Sequence, residues 1–272
     1  MNAIHVASAA PYFAAYPDTD YRSSDADTLV AALSALMWRR LGGSIAFVCD
    51  KASARDADRT GLSQAYDKIN DSLPPDLEGI NPSMFWAAGK LLALRETPAP
   101  VVMLDTDFIV WELPRFADHI IAAHREELLP DIYPEFSHFK MKSGYTFRKE
   151  FDKYVLPCNT AFLYLPDESF KQYYVSAAID FMRSSADTSD NLCPMVFAEQ
   201  RVLPMCARIC NAEIDTLLDY KRLYEPQTAF THIWGAKRVL RTNETLKKNF
   251  IHDCRERLKR EFPGFELNLY NN

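Results

Sequence analysis

The sequence predicts an α/β domain built on a central, mostly parallel sheet flanked by helices. Three short apolar runs, Ile4–Ala7, Ile45–Cys49 and Val101–Leu104, read as strands, and stretches with helical spacing separate them. Strands without a polar face are buried on both sides, as in parallel sheets covered by helices. The β-α-β order is the unit from which such sheets grow. The three runs are therefore expected side by side at the sheet centre.

Each element has a local reason. The first apolar run extends from Ile4 to Ala10 and leads into an aromatic, proline-broken loop with Pro11, Tyr12, Phe13, Tyr16 and Pro17. Asp25 or Asp27 can cap the next helix, whose Leu29, Leu33, Leu36 and Leu41 fall near helical spacing before Gly42-Gly43 ends it. Residues 51–80 read as polar and irregular, broken by Pro74-Pro75. Asn81-Pro82 signals a helix start, with Phe85, Ala88 and Leu92 on its inner face and Pro98 and Pro100 stopping it. The stretch 130–157 is rich in aromatic and basic residues, among them Tyr133, Tyr145 and Phe147, and aromatic faces suit the acceptor side of a sugar cleft or the packing of a small subdomain. Thr160–Leu165 reads as a strand, Asp167 as the cap of a helix carrying Phe170, Tyr174, Ala177 and Phe181, and Glu199–Arg208 as a helix kinked near Pro204. Phe230–Trp234 reads as a last strand, and Leu246, Phe250 and Leu258 mark a final helix capped by Thr242 or Asn243.

Size and composition bound the function. With 272 residues, 48% hydrophobic and 12% aromatic, the chain can bury a full core. No repeat or linker divides it, so one domain is expected over 1–272, with a nucleotide-binding half at 1–110 and an acceptor-binding half with a closing segment at 111–272. The net charge of 31 − 37 = −6 gives no broad attraction to phosphate backbones, so no nucleic-acid partner is expected. The basic runs at Lys237, Arg238 and Arg241, and at Arg255, Arg257, Lys259 and Arg260, read as solvated helix faces. Six cysteines show no C-x-x-C spacing, the short apolar stretch Ala3–Ala10 has no basic flank and is not expected to be a signal peptide, and no segment approaches ~20 apolar residues. A cytoplasmic protein with reduced cysteines and no transmembrane segment is expected.

The pattern D-x-D occurs four times, at Asp18/Asp20, Asp25/Asp27, Asp56/Asp58 and Asp105/Asp107. Three of these sit in polar loops or at a helix start, where aspartates serve turns and caps. Only Asp105 and Asp107 follow a buried strand, V-V-M-L, and precede a second apolar run, F-I-V-W. Ligands of open α/β sheets bind at the carboxyl ends of strands. Paired carboxylates there suit a hard divalent cation, magnesium or manganese, whose coordination is completed by substrate phosphates and water. A second cluster, T-H-I-W-G-A-K-R at 231–238, offers His232 as a metal ligand, Gly235 for close backbone approach and Lys237 against phosphate charge. Trp234 and Ile233 read equally well as core residues beside a surface histidine.

Together the two clusters resemble the GT-A class of glycosyltransferases, particularly the glycogenin-like and lipopolysaccharide-galactosyltransferase-like group. The likeness runs in order along nearly the whole chain: a helix, Met84 to Arg95, bearing the basic Lys90; V-V-M-L-D-T-D; Cys158-Asn159-Thr160-Ala161-Phe162 at a strand start; Glu199-Gln200; and finally H-x-x-G-x-K at His232, Gly235 and Lys237. Two positions depart from the family pattern: Ala161 stands where glycine is usual, and Arg238 follows the lysine where Pro-Trp is usual. The resemblance implies a Rossmann-like GT-A fold and a hexosyl transfer from a nucleotide-sugar, of UDP type, to a glycan, lipid-linked or protein hydroxyl. It implies that Asp105, Asp107 and His232 hold the metal, with Asp105 also near the ribose. Lys237 and Gly235 would face the diphosphate and Asp50 the nucleoside. Asn159, Glu199 and Gln200 would line the sugar pocket, with Glu199 the first candidate base if configuration inverts. Two other readings share the fold class. A sugar nucleotidyltransferase would carry a glycine-rich phosphate loop after the first strand, where this chain has S-A-A-P-Y-F. A non-catalytic sugar-binding or scaffold protein would bind without turnover.

Overall fold

A computed structural model describes residues 1–222 and 225–270 of the chain, the side chain of Trp234 excepted. In chain order the first elements are β1 (Asn2–Ala7), α1 (Ala10–Ala15), α2 (Asp25–Arg40), β2 (Ser44–Cys49), α3 (Lys51–Thr60), β3 (Lys68–Asn70), α4 (Ala88–Glu96) and β4 (Val101–Leu104). They are followed by β5 (Phe108–Val110), β6 (Ile120–Arg125), β7 (Cys158–Leu165), α5 (Glu168–Ser184), α6 (Cys193–Val196), α7 (Val202–Ile209), β8 (Ile214–Thr216), β9 (Phe230–His232), α8 (Trp234–Thr242) and α9 (Glu244–Glu261).

Seven strands form one sheet in the order β3-β2-β1-β4-β7-β6-β8, and β5 and β9 form a separate two-stranded ribbon. The first four strands of that order are mutually parallel, whereas β7 runs antiparallel to both β4 and β6. The expected neighbours are present: Ile4 pairs with Ala46 on one side and Met103 on the other. Side chains alternate across the sheet. Val101 and Met103 join the core beneath α4, α5 and α7, while Val102 and Leu104 join the opposite core with α2 and α9. Helix α2 is buried from Thr28 to Trp38, because β2, β5 and α9 surround it. It ends at Gly42, whose φ of 86° suits glycine.

Several local expectations are corrected. β1 ends at Ala7, and the stretch read as an aromatic loop contains α1, because Pro11 at the first turn starts a helix as readily as it breaks one. The cap of α2 is Ser24, which accepts from the Asp27 amide; Asp25 and Asp27 lie within the first turn. Residues 51–80, read as irregular, hold α3 and β3. Asp50 caps α3 through the Ser53 amide, and Gly61 closes it in the left-handed region. Asn81 does not start a helix directly: its side chain closes a turn on Ser83, and α4 begins only at Ala88. The break in the Glu199 helix lies before Pro204, in a π turn at Phe197–Arg201. The last strand stops at His232, and Trp234 opens α8. The reading of Trp234 as a core side chain lies outside the described residues, whereas Ile233 is buried. Strands β6 and β8 had no counterpart in the sequence reading. Asn243, not Thr242, caps α9.

The aromatic stretch packs. Phe136 stacks on Phe147 at 4.7 Å, and Phe139, Phe147, Phe181 and Phe197 form one ring cluster against α5. Arg201, in the π turn, holds the stretch by donating to the carbonyls of Pro134 (2.6 Å) and Lys153 (2.7 Å).

Candidate active site

The carboxyl ends of β1, β2 and β4 share one edge of the sheet because these strands are parallel. From β1 the chain winds one way through β2 and β3, then crosses to β4 on the other side, so the edge between β1 and β4 is the topological switch point. Asp105 sits there. Its amide donates to the Ala161 carbonyl on β7 at 2.8 Å, and the Asp105 carbonyl accepts from Phe108 at 2.9 Å to close the D-T-D turn. The turn hands the chain from the large sheet to the β5–β9 ribbon, where Phe108 pairs with His232. The Asp107 carbonyl then accepts from the Ile233 amide at 3.2 Å.

This path brings Asp105, Asp107 and His232 together, with one ligand atom from each within 4.8 Å of the others. Ligand atoms lie about 2.0–2.6 Å from zinc, magnesium or calcium. Atoms on opposite sides of an ion are therefore separated by roughly 4–5 Å, so the three donors fit a single divalent ion. Burial pushes His232 down to about 4, against the pull of the Asp107 and Asp105 carboxylates, and its imidazole is a neutral donor at physiological pH. Lys237, in the first turn of α8, lies 2.9 Å from Asp107 Oδ2. Gly235 precedes it with open space where a side chain would project.

Behind Asp105 lies Lys90, an ammonium held between two carboxylates. It contacts Asp105 Oδ1 and donates to Glu199 Oε1 at 2.9 Å. Burial alone would lower Lys90, but Asp105 and Glu199 hold it well above its ordinary value. Among the described residues, Asp105 Oδ1 has no hydrogen-bond donor beyond that ammonium. Glu199 is 2% exposed on the π turn, its carbonyl accepts from Tyr174, and its neighbour Gln200 accepts from the Tyr133 hydroxyl at 2.6 Å.

The remaining expected residues are distributed around this centre. Asn159 begins β7, donates to Glu126 at 3.2 Å and accepts from the Ala161 amide. Asp50 is buried at the end of β2, and both its carboxylate oxygens accept from backbone amides of Ala9 and Ser53. It thus ties β1 to β2 and caps α3, and its contacts are internal. Beside it lies a crevice of about 80 Å³ lined in part by Tyr21, Ser53, Asp56 and Thr106.

Sequence reasoning missed His124 and Glu126. A β-bulge in β6 sets His124 opposite Asn159, 2% exposed, with Nε2 lacking a hydrogen-bond partner among the described residues. His124 is near enough to influence the His232 charge. The available signal was a histidine at the carboxyl end of the apolar run I-I-A-A, but β6 had not been recognised as a strand.

The chain is similar to solved glycosyltransferases. One is the galactosyltransferase LgtC in complex with donor and acceptor sugar analogs, 12% identical, matched over 73% of this chain and 70% of that one with a TM-score of 0.37. Another is an active-site mutant of LgtC, 10% identical over 85% of this chain and 86% of that one, with a TM-score of 0.40. A third is the glycosyltransferase GlyE of Streptococcus pneumoniae TIGR4, 12% identical over 80% of this chain, which spans 46% of that protein, with a TM-score of 0.37. No protein-family model and no curated protein matches the sequence.

Proposed function

We propose that the chain is a metal-dependent glycosyltransferase that moves a sugar from a nucleotide-diphosphate donor, of UDP type, to a hydroxyl acceptor on a glycan, lipid or protein. The observation that carries this reading is the meeting of Asp105, Asp107 and His232 at the switch point of the sheet, with Lys237 beside them. Two carboxylates and a neutral imidazole are a donor set for manganese or magnesium. Such an ion, when bound, neutralises charge on the donor diphosphate.

The chain's own groups supply the rest. Lys237 turns from Asp107 to the diphosphate and stabilises the negative charge that accumulates as the sugar bond breaks. The open backbone at Gly235 admits a phosphate oxygen close to the amino end of α8, where peptide dipoles favour anions. The nucleoside lies towards the Asp50 edge and the Ser53 crevice. Lys90 fixes Asp105 and Glu199 in one arrangement, so the sugar pocket between Glu199, Gln200 and Asn159 is organised before the donor arrives. Glu199 is the candidate base for an inverting transfer. Tyr133, bonded to Gln200, marks the acceptor side, and the aromatic stretch behind it is its packed support. Free cysteines at all six positions suit a reducing compartment, and among the described residues no helix is long and apolar enough to cross a membrane.

A thermal-shift screen of nucleotide-sugars with and without manganese tests the reading, since a ligand of the native state raises the melting temperature by mass action. A metal-dependent shift with one donor, and slow hydrolysis of that donor without acceptor, are expected. Binding without any turnover would make the protein a sugar-nucleotide binder or scaffold. Absence of any metal-dependent shift would overturn the proposal.

A further inference from the structure

A second cluster of metal-binding side chains lies away from this centre. His138 closes a short turn at Phe136–His138, Asp190 lies in the loop after α5, and Cys193 is the first residue of α6. One ligand atom from each lies within 4.8 Å of the others. His138 Nε2 is 3.1 Å from Asp190 Oδ2. The other oxygen, Asp190 Oδ1, accepts from the amides of Leu192 and Cys193, each at 3.0 Å, so the carboxylate is oriented before any ion arrives. The Cys193 thiol donates weakly to the Asp131 carbonyl at 3.4 Å and forms no disulfide.

We propose that His138, Asp190 and Cys193 form a binding site for zinc or a similar borderline-soft divalent ion, separate from the hard-cation site at Asp105 and Asp107. The donor chemistry distinguishes the two. Thiolate and imidazole with one carboxylate is a zinc set, whereas magnesium and calcium take oxygen. Three protein ligands leave a fourth tetrahedral position for water, or for the Asp131 carbonyl that already faces the sulfur. The structural consequence is specific. Cys193 begins the helical run that leads through Phe197 to Glu199, and His138 belongs to the aromatic stretch, so the ion would join these two segments.

Cobalt titration of the full chain, stripped of metal by chelator, tests this, because a cysteine thiolate on cobalt gives a charge-transfer band that oxygen and nitrogen ligands do not. One equivalent of cobalt with that band, displaced by zinc, is expected. Cys193→Ser should abolish the band, and His138→Ala, at a half-exposed position, should weaken cobalt binding by about tenfold or more with the melting temperature of the metal-free chain little changed. Asp107→Asn should leave both unchanged. The site is refuted if no band develops, if the band persists in Cys193→Ser, or if His138→Ala titrates like the unaltered chain.

Discussion

Lys237 Nζ lies 2.9 Å from Asp107 Oδ2, although the two residues stand far apart in the chain. The contact sets an ammonium beside the carboxylates that are proposed to hold a metal ion, so the metal-free site is already part-neutralised. On the proposed reading, Lys237, a third exposed, would exchange Asp107 for the diphosphate when ion and donor enter.

Substitution separates these roles. Asp107→Asn keeps the shape and removes the charge, and it is expected to abolish the metal-dependent shift in donor melting while the metal-free melting temperature stays nearly constant. Lys237→Ala should retain metal binding, weaken the donor and slow transfer. Melting scans with manganese and donor added separately distinguish the two.

Lys90→Met should be costly in a diagnostic way. Removing one member of a buried ion-pair network leaves charges uncompensated and costs about 3–5 kcal/mol; here the stranded groups are Asp105 and Glu199. A divalent ion supplies part of the missing positive charge, so manganese should stabilise Lys90→Met more than it stabilises the unaltered chain. Urea unfolding with and without the ion measures the difference, and equal stabilisation of both proteins would contradict the shared network.

Acid sensitivity should trace in part to His5, which is fully buried between Tyr66 and Ser34 and pushed down to about 3 by burial, against the pull of Asp107. The unfolded chain takes up this proton near pH 6.5 and the folded chain only near 3. Between those values the unfolded state binds more protons, so stability falls as pH falls, by up to about 1.4 kcal/mol per pH unit from this residue. His232 adds a contribution of the same sign down to about 4. His5→Gln should flatten the dependence between pH 6 and 4 without removing it, as read from urea midpoints at several pH values.

The aromatic stretch should respond as packing rather than as an open sugar surface. Phe147→Ala removes a ring stacked on Phe136 and touching Phe181 and Phe197, and it is expected to cost up to about 3–5 kcal/mol in stability. Tyr133→Phe deletes only the hydroxyl bonded to Gln200 and should raise the acceptor KM with donor binding retained. Acceptor kinetics in the two variants, compared with their unfolding midpoints, divide support from contact.

What could be read in advance follows from the range of the forces. The three central strands were legible because wholly apolar runs have few alternatives to burial, and their adjacency followed from β-α-β order. Asp105 and Asp107 were legible because their strand was. His232 and Lys237 gave only a modest signal in T-H-I-W-G-A-K-R, strengthened by the likeness to a known motif, since nothing local predicts that Phe230–His232 pairs with Phe108–Val110. Strand β3 and helix α3 were hidden by polar composition: the buried face of α3 is Ser53, Asp56, Ala57 and Thr60, and Asp50 and Gly61 close its ends. His124 was hidden for a different reason: its environment is made by a bulge, and a bulge is a property of the pairing between strands.

The β5–β9 ribbon is only three residues long on each strand, and it is separate from the seven-stranded sheet. Two of the proposed metal ligands stand on the segment that joins β4 to β5, and His232 stands on β9. If this short pairing parts by local opening, His232 and Lys237 leave together while Asp105 and Asp107 stay with the β4–β5 segment. An ion bridging the junction would oppose that opening. The amides of Ile109, Thr231 and Ile233 should therefore exchange with deuterium much faster than those of β1 and β4 in the metal-free protein, and slow markedly with manganese and donor, making the ribbon a latch for the donor as well as a wall of the site.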